Sequence, residues 1–186
     1  MEINFFGPLF TMQSVLPSMR KRRSGTIINL TSASGQFSVP SGALYSASKF
    51  ALEGATEGLV AETAEFEITS LIVQPGAFRT NFFGGMSSGG ELADDYKTGA
   101  VGKTLAVFDK SHGKQAGDPA KAAKRVVEFV AGEGMGGKLK GKVLRMLLGP
   151  DCFQTLDGKT KKFREDVLLS EEVAKSTDFS AEESRL

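Results

Sequence analysis

Apolar and polar positions fall into short blocks along the chain, and the blocks predict an alternation of helices and strands. Ile3 to Arg22 reads as a helix that ends in the basic run Arg20, Lys21, Arg22 and Arg23, where positive charge suits the carbonyl end. Pro17 is expected to bend it. Thr26 to Leu30, TIINL, is a short apolar run after Gly25 and reads as a buried strand. Gly42 to Phe66 mixes alanine and leucine with four glutamates and predicts a long helix. Ser70 to Gly76, SLIVQPG, reads as a second buried strand, stopped by Pro75. Asn81 to Gly90 is a loop rich in glycine and serine.

Leu92 to Asp109 and Asp118 to Ala131 are expected to be helices, the second opened by Asp118-Pro119. Gly132 to Gly137 reads as a flexible link to a third strand, Lys142 to Leu148. The charged tail is expected to be helical over Lys159 to Leu169 and loose over Ser180 to Leu186. Apolar strands alternating with helices predict an α/β fold with a parallel sheet covered on both faces. The chain is expected to be one domain, with a core over 1–149 and a helical tail over 150–186. Three strands are few for such a sheet, so the chain reads as starting in the middle of an architecture.

Composition narrows the function. Of 186 residues, 40% are apolar and 24% charged, with a net charge of +1. That balance is globular and gives no electrostatic reason to bind nucleic acid or a membrane surface. Cys152 is the one cysteine, which excludes an internal disulfide. His112 is the one histidine, which excludes a multi-histidine metal site. With no signal-like or long apolar run, the expectation is a soluble cytoplasmic protein.

Three constellations carry candidate chemistry. Tyr45 and Lys49 stand four apart on a predicted helix, about 40° apart around its axis. An ammonium beside a phenol favours the phenolate. Ser32 follows the end of a strand, where open α/β sheets place their ligands, and its hydroxyl can hold a substrate oxygen. On spacing alone, chance is the better explanation of this triple. Gly85 to Gly89 matches the serine-hydrolase pattern around Ser87, with Asp94 or Asp95 and then His112 in hydrolase order. It lies in a loop well past a strand, which argues against a nucleophile there. Gly132 to Gly137 matches a glycine-rich dinucleotide pattern but follows a helix and precedes a strand, the reverse of what phosphate binding needs.

INLTSASG, thirteen residues from Ser32 to Tyr45, YSASKFAL and IVQPGAFRT together resemble the short-chain dehydrogenase/reductase family. EINFFGPL near the start and LLGPD with STDF near the end are similar to other segments of that family. The resemblance implies a doubly wound, Rossmann-like parallel sheet. It implies an oxidoreductase that transfers hydride between NADP or NAD and a small carbonyl/alcohol substrate. Tyr45 becomes the general acid/base, Lys49 the residue that lowers its pKa and holds the nicotinamide ribose, and Ser32 the holder of the reacting oxygen. Asn4 is implied to keep a helix distortion and a water relay to Lys49. Pro75, Gly76, Phe78 and Thr80 match the nicotinamide segment, and Phe82, Phe83 and Met86 fall in the substrate loop.

The family's glycine-rich turn, the coenzyme-selecting residue and the Asn-Asn-Ala-Gly stretch have no counterpart here. The resemblance therefore predicts an N-terminally truncated chain, with the start at Met1 in question, an unpaired apolar edge on the first strand, and poor cofactor binding by the chain alone. Two alternatives stand beside the enzyme reading. One is an inactive fragment acting only through dimerisation. Helices 3–22 and 42–66 are the implied homo-oligomer surface in both readings. The other is a hydrolase using Ser87.

Overall fold

The computed structural model describes residues 1–86 and 90–179. The predicted loose end at 180–186 lies outside them, as does Ser87. A π-helical turn, Glu2–Phe6, opens the chain and leads into α1, Gly7–Arg22. Strand β1 is Gly25–Leu30, helix α2 is Ala43–Thr63 and strand β2 is Ile68–Pro75. After the substrate-loop region come α3 (Asp94–Lys97), α4 (Ala100–Ser111), α5 (Pro119–Ala131) and a single turn, α6 (Gly134–Gly137). Strand β3 is Arg145–Leu148, followed by α7, Pro150–Leu169, and α8, Glu171–Lys175.

The strands form one parallel sheet in the order β1-β2-β3. Side chains alternate across it, as extended backbone requires. On one face Ile27 and Ile68 pack with Met12 of α1 and Leu52 and Leu59 of α2. On the other, Leu71 and Val73 pack with Met146, Leu148 and Phe129 of α5. Phe129 is fully buried, and burying such a side chain contributes about 1.5–3 kcal/mol. Cys152 and Leu156 of α7 close a third cluster with Ala33. The architecture is the predicted Rossmann-like one. β1 has no strand on its outer side among the described residues.

Four departures from the sequence reading have local causes. The expected helix over Leu92 to Asp109 is two helices, because Gly99 is extended and α4 starts afresh at Ala100. The glycine-rich link at 132–137 is packed, not loose: Gly136 is buried and its N–H donates to the Glu128 carboxylate at 2.9 Å. The third strand starts at Arg145 rather than Lys142, since Leu139 to Lys142 still turn on backbone bonds such as Leu139 N–H to the Gly136 carbonyl. The tail helix begins at Pro150, well before Lys159, because Pro150 suits a first helical position directly after the strand. Helix α1 runs through Pro17 to Arg22.

Candidate active site

The C-terminal ends of the three parallel strands define one rim, and the candidate residues gather there. Ser32 follows β1 in an extended conformation and caps the short 3-10 turn Ala33–Gly35, its Oγ accepting from the Ser34 N–H at 3.1 Å. Tyr45 and Lys49 stand on one face of α2, one turn apart. The Lys49 Nζ lies 5.8 Å from the Tyr45 ring centroid and donates to the Leu30 carbonyl at 3.0 Å. That carbonyl points to the open side of β1.

Burial pushes the Tyr45 phenol above its ordinary value of 10.0, and a hydrogen bond with the Ser32 side chain pulls it down. Burial also lowers the Lys49 ammonium below 10.5. Ser32 thus pulls the Tyr45 phenol down, the role that the resemblance implies for Lys49. The ammonium is directed to a backbone carbonyl.

Asn4 sits in the π-helical turn Glu2–Phe6. Its Nδ2 donates to Ser48 Oγ at 3.2 Å, and Ser48 donates to the Tyr45 carbonyl at 2.6 Å. Asn4 therefore reaches the backbone of the Tyr45–Lys49 turn through Ser48.

Pro75 ends β2, and Gly76 follows with its N–H on the Leu148 carbonyl at 2.8 Å. A β-carbon on Gly76 would overlap the Asp151 carboxylate, which also accepts from the Ala77 N–H at 2.7 Å. Phe78 packs into the core against Leu148 and its neighbours. Thr80 Oγ1 accepts from the Phe82 N–H at 3.3 Å. The Phe82 ring leans on Tyr45 at 5.6 Å between centroids, Phe83 on Phe82 at 5.7 Å, and Phe108 of α4 stacks on Phe83 at 5.1 Å. Met86 is exposed nearby in sequence.

The sequence reading missed Phe108, Asp151 and Glu53. Phe108 gives no local signal, because only the fold brings α4 to the loop. Asp151, in the first turn of α7, is a position where a carboxylate is favoured. Glu53 lies four residues beyond Lys49 on the same helix face and is 1% exposed.

For the hydrolase alternative, Ser87 lies outside the described residues. Asp94 pairs with Lys97 at 2.6 Å, and His112 is exposed at the end of α4. Among the described residues no cluster of histidine, cysteine and carboxylates could hold a metal ion. No helix among them is long and apolar enough to cross a membrane.

A parallel α/β sheet with serine, tyrosine and lysine at its carboxyl rim defines a class, and comparison with known proteins gives the family. The profile described as short chain dehydrogenase matches residues 1–89. A 3-ketodihydrosphingosine reductase of Bacteroides thetaiotaomicron is 34% identical over 172 residues, 91% of this chain and 60% of that protein. The crystal structure of a short-chain dehydrogenase from Streptomyces avermitilis superposes with a TM-score of 0.81 at 39% identity, covering 96% of this chain and 62% of that one. A short-chain dehydrogenase/reductase from Burkholderia phymatum, solved in complex with NAD, shares the fold with a TM-score of 0.68 at 18% identity, covering 88% of this chain and 57% of that one. The chain belongs to the short-chain dehydrogenase/reductase family. It spans about 60% of the length of these relatives.

The residues present fit one end of a nicotinamide nucleotide. Lys49 offers ammonium donors beside Tyr45, and Phe82, just after the Pro75–Thr80 segment, leans on the Tyr45 ring. No glycine-rich turn joins a strand to a helix among the described residues, so nothing on them cradles a pyrophosphate.

Proposed function

We propose that the chain carries the catalytic residues of an NAD(P)-dependent oxidoreductase that interconverts a carbonyl and an alcohol. One observation supports this reading most: Tyr45 and Lys49 share a face of α2, and the Lys49 ammonium donates to the carbonyl of Leu30, two residues before Ser32 at the end of β1. When bound, a reduced nicotinamide supplies the two electrons that reduce the carbonyl carbon. Tyr45 gives the phenolic proton to the carbonyl oxygen during reduction and takes it back during oxidation. Ser32 donates a hydrogen bond to that oxygen and holds it in line. Lys49 has donors beyond the one on Leu30 and holds the ribose with them. Phe82 and Phe83, with Phe108 behind them, form an apolar wall that favours an apolar carbonyl substrate. Met86 extends that wall in this reading.

The sign of the pH dependence follows from Tyr45. Reduction needs the protonated phenol, and the phenol titrates above its ordinary value. Reductase activity is therefore expected to hold through neutral pH and to fall only as pH rises through the raised Tyr45 value. The test is carbonyl reduction by the chain with NADPH or NADH, compared with Tyr45→Phe. The variant should fold normally and lose roughly 10²–10⁴-fold in kcat, the range general acid catalysis supplies. Equal turnover by Tyr45→Phe, or no nicotinamide-dependent turnover from a chain shown to be folded, would overturn the proposal.

A further inference from the structure

Glu53 carries a carboxylate that neither acts on substrate in the reading above nor meets solvent. It is 1% exposed. Taking a carboxylate out of water costs several kcal/mol unless hydrogen bonds replace the lost hydration. Here every lone-pair direction is used. Oε1 accepts from Thr31 Oγ1 at 2.9 Å and from Gln74 Nε2 at 2.8 Å. Oε2 accepts from Gln36 Nε2 and from Arg145 Nε, the latter at 3.0 Å. Arg145 also pairs with Glu57 on the next turn of α2.

The origin of these donors is informative. Thr31 immediately precedes Ser32, and Gln36 immediately follows the turn Ala33–Gly35 that Ser32 caps. The segment holding the Ser32 hydroxyl is thus tied at both ends to one carboxylate. A β-carbon on Gly35 would overlap Glu53 Oε1, so the turn rests directly on that oxygen. The other two donors come from β2 and β3. Glu53 itself belongs to the helix of Tyr45 and Lys49, on the same face. An apolar side chain of similar volume would often stabilise such a place as well as a buried ion pair does. The carboxylate adds fixed directions instead.

We propose that Glu53 is a positioning residue: its four-donor carboxylate locks the Ser32 turn against α2 and so sets where the Ser32 hydroxyl stands relative to Tyr45. This rests on the reading of Ser32 and Tyr45 as one site.

The chain has two tyrosines, so Tyr96→Phe leaves Tyr45 as the one phenol. Its ionisation is then read from tyrosinate absorbance against pH. In that background Ser32→Ala should shift the titration upward, since the hydrogen bond that lowers it is lost. Glu53→Gln, which keeps the shape but turns amide hydrogens toward donors, should shift it the same way. Thr31→Val, which removes one hydroxyl at nearly constant volume, should do so too and covers the case in which Glu53→Gln fails to fold. Adding Ser32→Ala to either should give no further shift, the signature of one shared route. A folded Glu53→Gln or Thr31→Val that lowers Tm but leaves the titration at its parent position would overturn the proposal while Ser32→Ala still supports the site. No shift with Ser32→Ala would remove the Ser32–Tyr45 contact, and both readings would fall together.

Discussion

Ser32 accepts a hydrogen bond from the Ser34 N–H, and its side chain pulls the Tyr45 phenol down against the rise that burial causes, so its position bears on the backbone turn and on the candidate chemistry together. Its place after an apolar strand, and the Tyr45–Lys49 spacing, can be read directly from the sequence. Glu53 cannot be read that way. It stands among Gly54, Glu57 and Gly58, a stretch that looks like a solvated helix face, and only the packing of β2 and β3 shows it buried. Cys152 shows the same limit. Its thiol donates to the Gln74 carbonyl at 3.1 Å, and burial pushes its pKa from 9.0 up to about 11. The folded state keeps the thiol proton while the unfolded chain loses it. This contribution to stability is therefore whole below pH 9 and is lost as pH rises toward about 11. Urea midpoints measured across that window should fall more steeply for the wild type than for Cys152→Ala. Parallel slopes would contradict the assignment.

Element boundaries follow hydrogen bonds more closely than they follow apolar runs. The strand cores were legible because TIINL and SLIVQP are apolar and punctuated by glycine and proline. The break at Gly99 and the early start of α7 were not, because helical periodicity does not reveal where a backbone turns extended. The ladder makes a sharper prediction. The Thr31 N–H donates to the Val73 carbonyl at 2.8 Å, so by the alternation of a parallel pair Ile27 and Asn29 also direct their N–H groups to β2. Thr26, Ile28 and Leu30 direct theirs to the open side. Thr26→Pro should cost about 1 kcal/mol or less, whereas Ile27→Pro should cost about 3 kcal/mol or more by removing a ladder bond. Denaturant unfolding of the two variants measures this, and equal losses would mean that the register is wrong.

At the scale of the whole molecule, β1 has no strand beside it on its outer side among the described residues and borders a groove of about 710 Å3 lined by Ile3, α1, β1 and Leu52. The groove's lining contains no charged residue, and β1 itself has no proline or charge, the usual guards of an edge. An edge at β1 accords with the expectation read from the sequence. The proposed Ser32–Tyr45–Lys49 site stands on the described strands alone, and the proposed nicotinamide end stands with it. The most direct test of the account is therefore cofactor binding by the purified chain, followed by nicotinamide fluorescence. NADPH or NADH should bind saturably but more weakly than about 10 μM, since no pyrophosphate cradle stands among the described residues, and Lys49→Ala should weaken binding further. No saturable response from a chain shown to be folded, or a response that Lys49→Ala leaves unchanged, would contradict it.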